Sequence, residues 1–244
     1  MKILLMGANG MLGPHVVKVL EKEHDLILSD VHESMDSPHH YHQINISDLD
    51  SVIDISSGVD AIINLSVVRE DRRLAFDVNS RGCYNLMSAA VQNGIKRVIN
   101  TGPHFTVAGP SYEDYDFAIH PSVPPQPGTY LYAHTKGLGN EICRIFSQNF
   151  DVNVITLLFY NFRGYDGDEW PIGKDFTPFS VTWEDAANSL KCSLDIELSK
   201  LPSKFEPFNI FADIPHNKFS NSYAKNVLGW KPTDQLQKYW QKEI

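Results

Sequence analysis

Short apolar runs alternate with amphipathic stretches along the first two thirds of the chain. This alternation is typical of strand–helix–strand units, in which helices cover both faces of a mostly parallel sheet. The apolar runs predict strands at residues 2–6, 25–29, 61–65, 97–100 and 152–159. The amphipathic stretches predict helices at residues 12–23, 82–93 and 133–149.

The pattern changes in the last third of the chain. Residues 160–178 are rich in Gly, Pro, Asp and aromatic side chains, which predicts a long ordered loop over a site. Helices are predicted at residues 184–198, before Gly229 and after Thr233. We therefore expect a doubly wound, parallel-sheet α/β domain over residues 1–159. A small C-terminal substrate-binding cap is expected over residues 160–244, with some of its chain returning to the sheet.

Charge and cysteine content exclude several classes of partner. The net charge of −9 argues against a nucleic-acid or anionic-membrane surface, because both are bound by clustered Lys and Arg. No apolar run reaches membrane-spanning length, and the N-terminal run stops at Gly7, too early for a signal peptide. Cys83, Cys143 and Cys192 are far apart, which is typical of reduced thiols. We expect a cytoplasmic protein.

A glycine-rich turn follows the first predicted strand and opens the first predicted helix. It places Gly7, Gly10 and Gly13 three residues apart, with Asn9, Met11 and Leu12 between them. Glycine at such positions allows a tight turn, a close backbone approach to a pyrophosphate and close packing of helix on strand. The pyrophosphate would lie at the helix N-terminus, where N–H groups and the helix dipole favour an anion.

An acidic residue closes the second predicted strand. Asp30 follows Gly10 by twenty residues, where a carboxylate can bind the adenosine ribose hydroxyls. It would repel the 2′-phosphate of NADP, and the next residues, Val31 and His32, supply no Arg for that phosphate. The alternative is a structural Asp at a strand end. The order of strand, glycines, helix and acid predicts a Rossmann domain that binds NAD.

Further motifs extend over nearly the whole chain. They are Asn45-Ile46-x-Asp48, Asn64-Leu65-Ser66, Val78-Asn79-x-x-Gly82, Tyr132-x-x-x-Lys136, Asn161 and Leu228-Gly229-Trp230. With the glycine turn and Asp30, they resemble the extended short-chain dehydrogenase/reductases, the NAD-dependent sugar epimerase/dehydratase family. Within that family the short length, Pro103-His104 and the tail at 208–232 are similar to uronate dehydrogenases, which oxidise a sugar acid directly.

The resemblance implies cofactor contacts for several residues. Asn45 and Ile46 would contact adenine. Leu65 and Ser66 would line the nicotinamide side. Asn79 would brace the core beside the cofactor. These assignments follow the family's motifs, residue by residue, onto the matching positions of this sequence.

Substrate contacts and assembly are also expected. The resemblance places Asn161 at a substrate group, and Ser66 is a second candidate for contact with the substrate. Arg69 follows the strand at 61–65, and it either binds an anionic substrate or lies on a solvated helix face with Arg72 and Arg73. A homodimer through the helices at 82–93 and 133–149 is implied by the resemblance alone.

Tyr132 and Lys136 form a chemically coherent pair. They are four residues apart, so on a helix they share a face. A tyrosine with an ordinary pKa of about 10 is a poor base at neutral pH. A nearby ammonium and the positive charge of oxidised nicotinamide would both lower that pKa. Tyr132 could then take a hydroxyl proton while a hydride leaves the same carbon for NAD, and Lys136 would also bind the nicotinamide ribose.

One family feature is missing from the segment after the strand at 97–100. The family carries a Ser or Thr there, which donates to the reacting oxygen, whereas this chain has Gly102 and Pro103. His104 is our first candidate for the missing donor, because its ring can donate and it titrates near neutral pH. Thr101 and Thr106 are the alternatives. His104 could equally cap the strand end or pack against Phe105.

These observations predict an NAD-dependent oxidoreductase or epimerase that acts on a sugar, a sugar acid or a sugar nucleotide. The altered segment at 101–106 favours an alternative, a non-catalytic NAD-binding protein that senses the cofactor or holds a partner. An NADPH-type reductase is disfavoured by Asp30. No metal site is expected: His39, His40 and His42 lie in a turn-rich stretch that reads as a solvated loop.

Overall fold

A computed structural model of the chain describes residues 1–33, 37–104, 106, 119–164, 179–215, 219–233 and 236–240. The strands are β1 (Lys2–Met6), β2 (Asp25–Asp30), β3 (His40–Gln43), β4 (Ala61–Asn64), β5 (Arg97–Pro103), β6 (Asn153–Phe159), β7 (Phe162–Arg163), β8 (Val181–Thr182) and β9 (Phe205–Asn209). The α-helices are α1 (Gly13–Leu20), α2 (Leu49–Ile55), α3 (Arg72–Ala75), α4 (Gly82–Gln92), α5 (Leu131–Asn149), α6 (Trp183–Asp195) and α7 (Ser222–Leu228). A π-helical turn at Phe76–Arg81 joins α3 to α4.

The main sheet of the described residues has the strand order β3-β2-β1-β4-β5-β6-β9, and all its neighbouring strands are parallel. The chain starts in the middle at β1, moves out to β3 and then crosses back to β4. Such a reversal opens a crevice at the carboxyl ends of the strands, which is where ligands bind in open α/β sheets. The predicted doubly wound, parallel-sheet Rossmann fold is confirmed.

Each face of the sheet carries its own apolar layer, because successive side chains of a strand point to opposite faces. Ile3 and Leu5 of β1 pack in a cluster with α1, α6 and α7. Leu4 and Met6 pack in a second cluster with α2, α4 and α5. Coverage on both faces explains why the strands appear in the sequence as continuous apolar runs.

Several regular elements were not predicted from the sequence, among them β3, α2 and β9. β3 lies in the stretch that carries His39, His40 and His42, so the expectation of a solvated loop there was wrong. β3 is an edge strand that pairs with β2 and is largely exposed, and for that reason no apolar run marks it. α2 and β9 were also missed, and β9 contains Pro207, which is tolerated at a sheet edge.

The last third of the chain returns to the sheet. α6 packs against α1, and β9 pairs with β6. The helix predicted at 184–198 ends earlier, at Asp195, and the residues described after Thr233 include a 3₁₀ turn at Gln237–Tyr239. The boundary drawn at residue 160 stays a prediction, and residues 165–178 of the predicted loop lie outside the described part of the chain. None of the described helices is both long and apolar enough to cross a membrane.

Candidate functional site

Two adjoining cavities lie at the carboxyl ends of β1, β4, β5 and β6. The larger cavity has a volume of about 490 Å³ and the smaller one about 310 Å³. Both are lined by Gly7, Gly10, Leu65 and Val67, so they form one continuous cleft. The cleft follows the glycine turn from one side to the other, as an extended dinucleotide would.

The glycine turn is built by close backbone contacts. Gly7 has a φ of +79°, and a Cβ there would lie 2.7 Å from the Ser66 nitrogen. The Gly10 N–H donates to the Gly7 carbonyl over 3.1 Å. A Cβ on Gly13 would lie 1.9 Å from the Ala8 carbonyl oxygen, so α1 packs tightly onto the end of β1. Side chains at Gly7 and Gly13 would collide with backbone, so glycine keeps the turn tight and α1 close to β1, which is the arrangement that a pyrophosphate at the helix N-terminus requires.

Asp30 lies at the smaller cavity and is held by backbone donors. Its Oδ2 accepts the Asn9 N–H at 3.1 Å, and its Oδ1 accepts the His32 N–H at 3.2 Å. The Asn9 side chain in turn donates to the Glu33 carbonyl and to the Tyr41 hydroxyl. A carboxylate has about four acceptor positions, so two oriented oxygens still leave acceptors for a pair of ribose hydroxyls.

We expect NAD(H) to bind at least about tenfold tighter than NADP(H), a difference of about 1.4 kcal/mol, because the Asp30 carboxylate repels a 2′-phosphate. Asp30→Ala should narrow that gap. Asp25→Ala removes a carboxylate from the exposed opposite end of β2 and should leave the gap unchanged. Calorimetric titration of both cofactors measures the difference, and equal affinities in the wild-type protein would contradict the assignment.

The predicted adenine contacts lie at the smaller cavity. Asn45 and Ile46 both line it. The Asn45 side chain accepts from Ser47, while the Ile46 carbonyl accepts from the Asn85 side chain. A Cβ on Gly82 would lie 2.8 Å from the Ile46 side chain, so the glycine lets α4 support this wall.

Other predicted cofactor residues lie along the same cleft. Leu65 lines both cavities, and Ser66 lines the smaller one. Met11 and Leu12 line the larger cavity, where Met11 is exposed and Leu12 is buried against the sheet. Leu65, Met11 and Leu12 lie where the predicted contacts require, whereas the described lining of the larger cavity does not include Ser66, which was predicted on the nicotinamide side. The contacts themselves stay predictions.

Asn79 joins two walls of the cleft. It lies in the π-helical turn, its Oδ1 accepts the Val68 N–H, and its amide donates to the Val68 carbonyl and to the Thr135 hydroxyl. Thr135 precedes Lys136 on α5, so Asn79 fixes the segment after β4 against that helix. A Cβ on Gly139 would lie 2.3 Å from the Asn79 carbonyl oxygen, which shows how closely α5 packs here.

Tyr132 and Lys136 both line the larger cavity from α5, with Gly7 and Gly10. Burial raises the pKa of Tyr132 to about 12. Lys136 is the cation predicted beside Tyr132, but the group found there is Arg69, whose guanidinium carbon lies 5.3 Å from the Tyr132 ring centroid. Lys136 is buried, which lowers the pKa of its ammonium, and its Nζ donates weakly to the Ser66 carbonyl over 3.5 Å.

Thr101 at the carboxyl end of β5 and Thr106 after it both use their hydroxyls within the fold. Thr101 and Gly102 line the larger cavity, but Thr101 Oγ1 donates to the Asn64 carbonyl at 2.8 Å. Thr106 Oγ1 donates to the Pro103 carbonyl at 2.9 Å. Each hydroxyl has a single donor hydrogen. Neither threonine therefore directs its O–H toward the cavity.

His104 is placed in an aromatic cluster. It is 2% exposed, and its ring stacks on Phe179 at 3.5 Å between centroids, with Phe211 and Phe219 edge-on. It is not among the described residues that line the larger cavity. Burial lowers the pKa of its imidazole to about 3, so the ring is neutral at physiological pH. This placement counts against our first choice of His104 as the missing donor.

The lowered pKa predicts an acid-sensitive core. The unfolded chain protonates His104 near its ordinary pKa of 6.5, whereas the folded chain does so only near 3. Stability from this group is therefore complete above pH 6.5 and is lost as the pH falls toward 3. When the pH is lowered from about 7 to about 5, the wild-type protein should lose free energy of unfolding because its unfolded chain takes up a proton at His104. The His104→Phe variant should lose about 2 kcal/mol less over the same change in pH. Urea titrations at both pH values measure this, and equal losses would contradict it.

The far end of the larger cavity is aromatic and cationic. Tyr160, Asn161, Arg163 and Trp183 line it, and the Trp183 ring stacks on Phe162 at 4.3 Å. Asn161 has a φ of +42°, which is uncommon for a residue with a side chain and is found at functional sites. Asn161 was predicted at the substrate, whereas the aromatic residues were not singled out. The run of aromatics from 159 to 162 was the available signal.

The remaining basic and metal-ligating candidates are accounted for. Arg73 is 92% exposed and lies 3.7 Å from Asp77, which is typical of a solvated helix face. His39 lies 3.3 Å from Glu21. Within the described ranges, no three His, Cys, Asp or Glu side chains are grouped as a metal site would require.

Comparison with known proteins supports the motifs. Residues 3–175 match the model of the NAD dependent epimerase/dehydratase family. The chain is 24% identical over 196 residues to GDP-mannose 3,5-epimerase 1 of Oryza sativa subsp. japonica, which covers 73% of this chain and 50% of that protein. This chain thus spans about half the length of that relative.

Solved structures share the fold at low sequence identity. Uronate dehydrogenase from Agrobacterium tumefaciens matches with a TM-score of 0.80 and 20% identity, over 96% of this chain and 84% of that one. MoeE5 in complex with UDP-glucuronic acid and NAD matches with a TM-score of 0.79 and 16% identity, over 98% and 96%. UDP-N-acetylglucosamine 4-epimerase from Bacillus cereus matches with a TM-score of 0.75 and 18% identity, over 98% and 96%.

These identities establish the fold alone, whereas the family match covers more than half of the chain and agrees with the glycine turn and Asp30 in the cleft. The chain belongs to the NAD dependent epimerase/dehydratase family, with NAD as its cofactor.

Proposed function

We propose that this protein is an NAD-dependent oxidoreductase or epimerase that acts on a sugar, a sugar acid or a sugar nucleotide. One observation carries the proposal: Tyr132 and Lys136, one helical turn apart on α5, open into the same cavity as Gly7 and Gly10 of the dinucleotide turn. A hydroxyl-bearing carbon held in that cavity would lie between an acid/base group and the cofactor site. Net oxidation and epimerisation both begin with removal of hydride from such a carbon.

The residues have separate tasks in this reaction. Bound NAD supplies the chemistry of hydride transfer. Tyr132 takes the hydroxyl proton of the substrate at its Oη when a carbonyl forms and returns it when the carbonyl is reduced. Lys136, held against the Ser66 carbonyl, would bind the nicotinamide ribose of the cofactor. Asn79 keeps this part of α5 in register with the segment after β4.

The lining of the larger cavity favours a substrate with a negative charge. Arg69 and Arg163 line it, and Phe162 and Trp183, whose rings stack on each other, line the same space. Arginine binds carboxylates and phosphates through paired N–H donors. Aromatic faces pack on the apolar faces of sugar rings. A sugar acid or a sugar nucleotide satisfies both features better than a neutral sugar does.

A substrate screen tests the function. Purified protein with NAD is offered uronic acids, aldonic acids, UDP- and GDP-linked sugars and neutral sugars, while NADH absorbance reports net oxidation. Proton NMR of the same mixtures in deuterated buffer reports epimerisation that leaves no net NADH. We expect at least one anionic sugar to react and neutral sugars to be poor substrates. The absence of any reaction, with NAD bound, would contradict the proposal.

A second function is favoured by the altered segment at 101–106, which begins within the carboxyl end of β5. The O–H groups of Thr101 and Thr106 are both used within the fold, and this would suit a protein that binds NAD without turnover. Such a protein would sense the cofactor or hold a partner. Such a protein would bind NAD in calorimetry and would react with none of the sugars in the substrate screen.

The predicted homodimer stays a proposal. Tyr84 of α4 and Leu138 and Ile145 of α5 are exposed apolar side chains on the two helices that the resemblance assigns to an interface. Sedimentation at several protein concentrations would reveal a dimer, and Ile145→Glu should weaken it. A monomer at all concentrations would contradict this expectation.

A further inference from the structure

The reacting oxygen requires a donor besides Tyr132, because negative charge develops on it as hydride leaves. The described residues at the carboxyl end of β5 and just after it do not supply this donor. Thr101 and Thr106 direct their O–H groups to backbone carbonyls, and Pro103 has no N–H. His104 is stacked within the aromatic cluster.

A cation on a different wall of the larger cavity lies against Tyr132. Arg69 belongs to the segment that follows β4, and its guanidinium carbon is 5.3 Å from the Tyr132 ring centroid. The guanidinium group has five N–H donors in a planar fork, so contact with the tyrosine leaves donors for another oxygen. Arg69 is exposed and lines the cavity.

We propose that Arg69 takes the place of the missing Ser or Thr by donating a hydrogen bond to the reacting oxygen of the substrate beside the Tyr132 hydroxyl. The assignment rests on the proposed function, since it requires a substrate oxygen at Tyr132. In this role Arg69 contacts the reacting oxygen of the substrate, whereas a substrate-binding role would have it contact the anionic group. Arg163, farther along the cavity lining, is left for that group.

The bonds and charges balance in the oxidative direction. The O–H bond breaks and its proton passes to the Tyr132 phenolate, while the C–H electron pair leaves as hydride for bound NAD. The C–O bond becomes a carbonyl, whose oxygen no longer carries the negative charge. Arg69 remains protonated throughout and acts as a donor only. Its charge stabilises both the phenolate before the step and the partial alkoxide during it.

The groups around Tyr132 support this role. Burial is the largest cause that raises the pKa of Tyr132, and Tyr160 and Tyr130 raise it further. The charge of Arg69 and its hydrogen bond with Tyr132 lower that pKa. Lys136 contacts the Ser66 carbonyl instead. In the absence of cofactor, Arg69 is therefore the cation that makes Tyr132 a better base.

The first test measures the phenol without any turnover. Incorporation of 3,5-difluorotyrosine at position 132 lowers the phenol pKa into a range where the protein stays folded, and fluorine NMR follows its titration. Arg69→Gln should raise that pKa by about 1 or more, and Arg69→Lys should raise it less. Arg72→Gln removes an exposed charge from the neighbouring helix α3 and should leave it unchanged. An unshifted pKa in Arg69→Gln would overturn the proposal.

The second test measures the reaction on a substrate found in the screen. Arg69→Ala should lower kcat by about a hundredfold, as loss of one oxyanion donor does, while the NAD dissociation constant stays unchanged. Added guanidinium ion should restore part of kcat in Arg69→Ala and none in Tyr132→Phe. If a substrate is found and Arg69→Ala keeps its kcat, this proposal fails while the proposed function stands. If no substrate reacts, both fail.

Discussion

Tyr132→Phe should lower turnover by at least about a hundredfold on any substrate that the wild-type protein oxidises or epimerises. The substitution keeps the ring against Arg69 and removes only the hydroxyl that accepts and returns the proton. The NAD dissociation constant should stay nearly unchanged, because the ring continues to fill the same part of the larger cavity. Steady-state kinetics and calorimetry on the same preparation measure both quantities.

Tyr84→Phe is the matched control for this substitution. Tyr84 lies on α4, its ring packs edge-on against Phe146, and its side chain is exposed away from the described lining of either cavity. It should lose no turnover. A Tyr132→Phe variant with normal kcat would remove Tyr132 from the acid/base role, whatever the substrate. A loss of both kcat and NAD affinity would instead indicate a role in holding the cofactor.

The parts of the site that depend on local sequence were predictable. Gly7, Gly10 and Gly13 form the turn because each backbone contact there is made within a few residues or with the adjacent strand. The position of Asp30 in the cleft could be predicted because the carboxyl ends of parallel strands lie at the ligand cleft. The register of β1 with β2 brings Met6 opposite Ser29, so the glycine turn and Asp30 leave the sheet together.

The contacts made between distant segments were not predictable. Tyr132 and Arg69 meet only because α5 packs beside the segment after β4, and no spacing within either motif encodes that contact. His104 was ranked as a donor from its titration range. Its surroundings come from Phe179, Phe211 and Phe219, all much later in the chain, and these decide that the ring is neutral and buried.

The part of the site around Asn79 was not predicted because the helix there is irregular. The predicted helix at 82–93 is the regular α4, but it is preceded by the π-helical turn and by the short helix α3. A π-helical turn breaks the 3.6-residue apolar period on which the helix prediction depends, and such turns are frequent at functional sites. Asn79 lies in this turn, so its contacts with Val68 and Thr135 could be seen only in three dimensions.

Gly13→Ala should both destabilise the fold and weaken NAD binding. A Cβ at Gly13 would lie 1.9 Å from the Ala8 carbonyl oxygen and 2.6 Å from its carbonyl carbon, so a rigid backbone stands in its way. α1 would have to move away from β1, at a cost of about 3 kcal/mol in unfolding free energy. The same movement would withdraw the first N–H groups of the helix from the pyrophosphate, so NAD affinity should fall by at least about tenfold.

Gly58→Ala is the control that separates this steric clash from the general cost of replacing a glycine. Gly58 has a φ of +72°, and no heavy atom lies within 4 Å of a Cβ built there. It precedes β4, at the amino ends of the strands, whereas the cleft lies at their carboxyl ends. Alanine there should cost about 1 kcal/mol of backbone strain, with NAD affinity unchanged. Urea unfolding and calorimetric NAD titration of both variants give the comparison. If Gly13→Ala were no more harmful than Gly58→Ala in either measurement, the close contact of α1 with the glycine turn would not be what positions the cofactor site.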